Sequence, residues 1–125
     1  MKQTVTSQNA PAALGPYCHA TVCGNLVFTS GMLGIDPATG KMAGTLETQA
    51  KQIMTNLAAV LSDAGSDLQH ALKATIFLTD LGNFAAVNEI YGAAFAGVYP
   101  ARSCFEVSKL PSGALVEIEL IAEVK

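Results

Sequence analysis

At 125 residues, half of them hydrophobic, the chain is long enough for one domain with a real core and too short to divide into two, so residues 1–125 are read as a single domain. Charged residues make up only 14% and Trp is absent, which is less polar surface than an isolated small monomer carries and points to a buried subunit interface. Seven Lys and Arg against ten Asp and Glu leave a net charge of -3 with no basic cluster, which argues against nucleic acid as a main partner.

The N-terminal run Met1 to Ser7 is polar, without the apolar core of a signal peptide, and no stretch is long enough to cross a bilayer. The expectation is a cytoplasmic protein with no membrane partner. From His19 to Met32 the chain reads as two β-rich runs broken by the turn dipeptide Gly24-Asn25, a hairpin signature. Gly34 to Gly40 gathers Gly, Pro and Asp and predicts a loop. From Thr45 to Ala64 the residues Ala50, Ile53, Met54, Leu57, Val60, Leu61 and Ala64 recur at helical spacing, with Thr45 as N-cap and Gly65 as the stop. Ala71 to Thr79 is a β-rich run, and Asp80 to Ala96 is again helical through Phe84, Val87, Tyr91 and Phe95. Arg102 to Val107 and Leu115 to Val124 are the last two strands. In the final one Val116, Ile118, Leu120, Ala122 and Val124 form an apolar face opposite Leu115, Glu117, Glu119, Ile121 and Glu123. The order β-β-α-β-α-β-β predicts an α+β domain, a mixed sheet with two helices packed on one face.

Alternation places Arg102, Cys104 and Glu106 on one face of their strand and Ser103, Phe105 and Val107 on the other, the latter directed into the expected core. A strand-mounted guanidinium suits a planar carboxylate through two parallel hydrogen bonds, although a solvated pair with a surface glutamate explains Arg102 as well. Glu117 suits a general base beside a bound electrophile, or simply one of three solvent-facing glutamates. Tyr17, after Gly15-Pro16, offers a hydroxyl; Ser30-Gly31, at a strand end, allows close approach of a ligand to the backbone or marks a bulge; Asn88 flanks the apolar stripe of the second helix. Cys18, Cys23 and Cys104 have no C-x-x-C spacing, and His19 and His70 no ligand spacing, so neither disulfides nor a metal site is expected. Cys104 reads as an inert strand thiol. The glycine-rich phosphate, dinucleotide and serine-hydrolase signatures are absent, and no cofactor is expected.

Gly15-Pro16-Tyr17, Val27-Phe28-Thr29-Ser30-Gly31, Phe77-Leu78-Thr79-Asp80, Val87-Asn88, Pro100-Ala101-Arg102-Ser103-Cys104 and Val116-Glu117-Ile118-Glu119 together resemble the RidA/YjgF family over nearly the whole chain. The resemblance implies a chorismate-mutase-like domain assembled as a homotrimer, with ligand clefts between subunits. It also implies cofactor-independent hydrolysis of 2-imino and 2-enamino acids, 2-iminobutanoate and 2-iminopropanoate, to 2-oxo acids and ammonia. By the same resemblance Arg102 clamps the substrate carboxylate, Glu117 activates the attacking water, Cys104 contributes its backbone N–H, and Tyr17, Ser30, Gly31 and Asn88 line the cleft. Met32, where many relatives carry Gln, and Phe105, where smaller residues are common, put the shape of the pocket in question. The alternative reading is a non-catalytic trimer that binds or senses a 2-oxo acid. RNA cleavage, ascribed to some relatives, lacks the phosphate-binding cations it needs in this acidic chain.

Overall fold

Thr45 opens the first helix with a reciprocal cap: its side chain accepts the Thr48 N–H, and the Thr48 hydroxyl accepts the Thr45 N–H at 3.0 Å. Gly65, at φ +81°, turns the chain away at the other end. In the computed structural model, which describes residues 1–125, this is α1 (Leu46–Asp63), preceded by β1 (Gln3–Val5), β2 (Ala20–Cys23) and β3 (Leu26–Thr29). It is followed by β4 (Ala71–Leu78), α2 (Phe84–Ala93), β5 (Ala101–Glu106) and β6 (Val116–Glu123). The strands form one mixed sheet in the order β1-β2-β3-β6-β4-β5, parallel only between β4 and β5. No helix is long and apolar enough to cross a membrane.

Both helices lie on one face of the sheet, as expected. The predicted stripe of α1 is buried from Ala50 to Ala64, and it meets Val27, Ala74, Ile76, Leu78, Val116, Ile118, Leu120 and Ala122, which alternate inward from the strands. The buried polar residues of α1 are put to a second use. Asn56 donates to the carbonyls of Leu33 and Ile35, and Gln49 donates to Ala43 O and accepts the Leu115 N–H, so the helix pins the loop after β3 and the approach to β6. Gly34 lies so close to the Gln49 backbone that an added Cβ would sit 2.6 Å from it.

Three expectations are corrected. The polar N-terminus contains a strand: β1 pairs antiparallel with β2, and only Val5 is half-buried, so no apolar alternation announces it. The second helix is shorter than Asp80–Ala96; a 3₁₀ turn at Leu81–Asn83, capped by Asp80 through Gly82 N at 2.8 Å, precedes α2. The faces of β5 are also reversed. Cys104 lies opposite Ile76 and packs against the core, whereas Phe105 lies opposite Phe77 on the other face, 52% exposed. The parallel register with β4 decides the matter, because Ile76 is fully buried beneath the helices.

Candidate active site

The expected site residues fall into two groups. Tyr17, Ser30, Gly31 and Glu117 line one cleft, of about 460 Å³, together with Leu14, Pro16, Leu33 and Pro111. Glu117 stands on the open face of the sheet, opposite Phe77 in the register of β4 and β6. Its carboxyl group rests against Gly31: a Cβ there would sit 2.8 Å from the Glu117 Cδ, so glycine is the residue that permits the approach. Ser30 holds this turn by donating its hydroxyl to the Cys18 carbonyl at 2.7 Å, and the Tyr17 hydroxyl accepts the Leu14 N–H at 3.2 Å. Burial, with a smaller contribution from the charge of Glu119, raises the Glu117 carboxyl above the ordinary carboxylate range. No Lys or Arg lines this cleft.

Arg102 and Asn88 form the second group, on the helix-covered face at the β5 edge. Arg102 pairs in register with buried Ala74, and its guanidinium donates to Asn88 Oδ1 at 2.6 Å. It lies between two aromatic rings, 5.3 Å from the Phe84 centroid and 5.2 Å from that of Tyr91. The surface glutamate that would have made Arg102 a simple ion pair is not there; one amide takes one of the several N–H groups a guanidinium offers, and the rest of the fork is free to bind an anion. A cleft of about 270 Å³ opens between Asn88, Tyr91, Tyr99, Pro100 and Arg102. Burial raises the Tyr91 hydroxyl against the pull of Arg102, and that hydroxyl has no partner. Cys104 shares this face, and burial pushes its thiol up, again opposed by Arg102, which leaves it a protonated thiol and a poor nucleophile.

Within one chain, then, Arg102 and Glu117 stand on opposite faces of the sheet, the cation without a base and the base without a cation. Phe84 and Tyr91, which frame Arg102, were legible only as part of the apolar stripe of the second helix. Their spacing with Asn88, four residues from Phe84 and three from Tyr91, puts all three on one side of the helix and is the signal that marks them. Leu14 carried no signal at all. No three His, Cys, Asp or Glu side chains converge to hold a metal ion.

The chain is similar to known proteins over nearly its whole length. The family described as Endoribonuclease L-PSP matches residues 7–124. A RutC family protein of Sinorhizobium fredii is 48% identical, over 97% of both chains. The protein of Salmonella typhimurium named 2-iminobutanoate/2-iminopropanoate deaminase is 42% identical, over 98% of both. Among solved structures, E. coli TdcF with bound serine superposes with a TM-score of 0.93 at 36% identity, covering 98% of this chain and 99% of that one.

Proposed function

Since the chain belongs to the endoribonuclease L-PSP family, the RutC/RidA/YjgF proteins, we propose that it hydrolyses 2-imino acids such as 2-iminobutanoate and 2-iminopropanoate, with their enamine tautomers, to 2-oxo acids and ammonia. The observation that carries this reading is the Glu117 carboxyl: half-buried, its pKa raised by burial, and pressed against Gly31 in the cleft. A carboxylate so placed takes a proton more readily than an exposed one at neutral pH. Glu117 accepts a proton from water as the water oxygen bonds to the C=N carbon of the protonated imine. It then returns the proton to nitrogen and takes the new hydroxyl's proton as the C–N bond breaks and the C=O bond forms; that proton passes to the departing ammonia, so ammonium and the 2-oxo acid leave and the carboxylate is regenerated. Arg102 holds the substrate carboxylate through its unengaged N–H groups while Asn88 and the two rings fix the guanidinium.

Both groups act on one substrate if the Arg102 edge of one copy meets the Glu117 cleft of a neighbouring copy, in the homotrimer that the resemblance implies. Two features of the chain support such an assembly: the open sheet face exposes Phe28 and Phe105, at 41% and 52%, and the composition is poor in charge. The test mixes threonine with a pyridoxal-phosphate-dependent threonine dehydratase and traps the released imine with semicarbazide. Slower semicarbazone formation with the native protein, and not with Arg102→Ala, is the expected result. A folded, assembled protein that leaves trapping unchanged sinks the deaminase reading and turns attention to a non-catalytic carboxylate binder, for which the Arg102 cleft alone is sufficient.

A further inference from the structure

The wall of the Glu117 cleft that carries Leu14, Gly15, Pro16 and Tyr17 belongs to a segment outside the strands and helices, anchored in the core by Ala10 and otherwise held by hydrogen bonds. Between Thr6 and Tyr17 the bonds Asn9 N–H to Ser7 Oγ, Leu14 N–H to the Tyr17 hydroxyl and Tyr17 N–H to Gly15 O all stay within the segment. The two that leave it both end on the His19 ring: Ser7 N–H donates to Nδ1 at 2.9 Å, and Nε2 lies 2.7 Å from Pro11 O. His19 is 3% exposed and Ser7 is equally buried, so water does not substitute for either bond. A backbone N–H only donates and a carbonyl only accepts. Nδ1 must therefore be bare and Nε2 must carry the hydrogen, which fixes one neutral tautomer. With both nitrogens engaged, the ring is also closed to a metal ion.

The same residue reaches the opposite wall of the cleft. The Ser30 N–H donates to His19 O at 2.9 Å, and the Ser30 hydroxyl to the adjacent Cys18 carbonyl at 2.7 Å, so the turn that seats Glu117 against Gly31 hangs from residues 18 and 19. We propose that His19 is a positioning residue for the Glu117 cleft, its Nε2–H imidazole tying the Ser7–Tyr17 segment down as one wall while its backbone holds Ser30-Gly31 as the other. This rests on reading that cleft as the substrate site. His19 touches no substrate; it sets the distance between the two walls.

A ring and an amide present the same pair of groups, which makes the latch separable from the bulk of the side chain. In His19→Gln the side-chain oxygen accepts the Ser7 N–H and the side-chain nitrogen donates to Pro11 O, whereas His19→Ala loses both bonds. The full chain of each form is compared by amide hydrogen exchange, by imine turnover, and by binding of 2-oxobutanoate. For His19→Ala, exchange over residues 7–17 is expected to accelerate about tenfold or more, with α1 and β6 unchanged, and KM and the 2-oxobutanoate Kd to rise by about the same factor while kcat stays within about twofold. His19→Gln is expected to restore all of these, and ¹⁵N spectra of the native imidazole to show hydrogen on Nε2. Unchanged exchange in His19→Ala, no rescue by Gln, or hydrogen on Nδ1 overturns the proposal. Native protein that neither binds 2-oxobutanoate nor turns over imine defeats the deaminase reading instead, and exchange over residues 7–17 still decides whether His19 is the latch.

Discussion

The two faces of the sheet are built on different principles. On the helix-covered face Val27, Ala74, Ile76, Leu78, Val116, Ile118, Leu120 and Ala122 are all but sealed from solvent, each satisfied by neighbours within the same chain. On the open face Phe28, Glu117, Glu119, Ile121, Thr75, Phe77 and Phe105 stay partly or largely accessible, a mixture of apolar and acidic groups that no element of the chain covers. One face is therefore finished by folding, and the other is left for ligand or a second copy. Apart from the Arg102–Asn88 pair, which sits at the β5 edge of the covered face, stability and chemistry are correspondingly separable, and a substitution should act on one or the other according to the side on which it points.

The largest effect expected of that separation is at Glu117. Glu117→Gln removes the base without altering shape, and imine turnover should fall by about 10²–10⁴. Its effect on folding has the opposite tendency. The folded state raises this carboxyl by burial first and by Glu119 second, so the folded chain binds the proton more tightly than the unfolded one. Stability from this group is then present on the acid side and is lost as pH rises from the ordinary carboxylate range through the raised value. At neutral pH the neutral amide should be no less stable than the wild type in urea titration. Lost activity together with lost stability would mean that Glu117 belongs to the core after all.

Ile76, on the opposite face of the same strand as Phe77, gives the converse. It is fully buried, and Ile76→Ala should lower unfolding free energy by about 2–5 kcal/mol through lost transfer and cavity terms. Semicarbazone assays on the folded fraction should then show turnover near that of the wild type. A specific activity that falls as steeply as stability would show the two faces coupled through the strand.

How much of this division was visible in the sequence depends on how one-sided each segment is. β6 and α1 were legible because their apolar residues keep to one period, two for Val116 to Ala122 and about 3.6 for Ala50 to Ala64. β5 was not, because it carries the hydrophobes Cys104 and Phe105 on opposite faces at the edge of the sheet, and only the parallel register against β4 says which faces the helices. β1 was invisible for a related reason: a three-residue edge strand needs only the free edge of β2, not an apolar pattern of its own. In the candidate site, Arg102, Asn88, Glu117 and Gly31 were candidates by residue type and position, each with a plainer structural reading beside it, and the resemblance gave them roles. That Arg102 and Glu117 point away from each other, that Phe84 and Tyr91 sandwich the guanidinium, and that His19 holds a wall follow from contacts between residues distant in sequence, which no local spacing encodes.

Gly31→Ala tests the open face without touching a charged group. The new methyl would collide with the Glu117 carboxyl, which sits on a flexible side chain and yields by moving. Displacement on the order of an ångström is enough to lower turnover about 10²-fold, with circular dichroism and thermal midpoint nearly unchanged because no core residue moves. If activity survives, the carboxyl does not work from the position it occupies against Gly31.

The smallest and sharpest effect concerns Glu119, two residues along the same face. Its charge is the secondary cause of the raised Glu117 carboxyl, after burial. Glu119→Gln removes the like charge and leaves burial in place, so the Glu117 carboxyl should fall toward the ordinary range without reaching it. A general base works only when ionised, and the acid limb of kcat/KM should move to lower pH by part of the whole displacement, the plateau at neutral pH changing little. A pH–rate profile measured with semicarbazide trapping at constant ionic strength reads this directly. An acid limb that stays in place assigns the titration to another group, whereas a limb at the ordinary carboxylate position would mean that repulsion along the open face, and not burial in the cleft, is what weakens the acid.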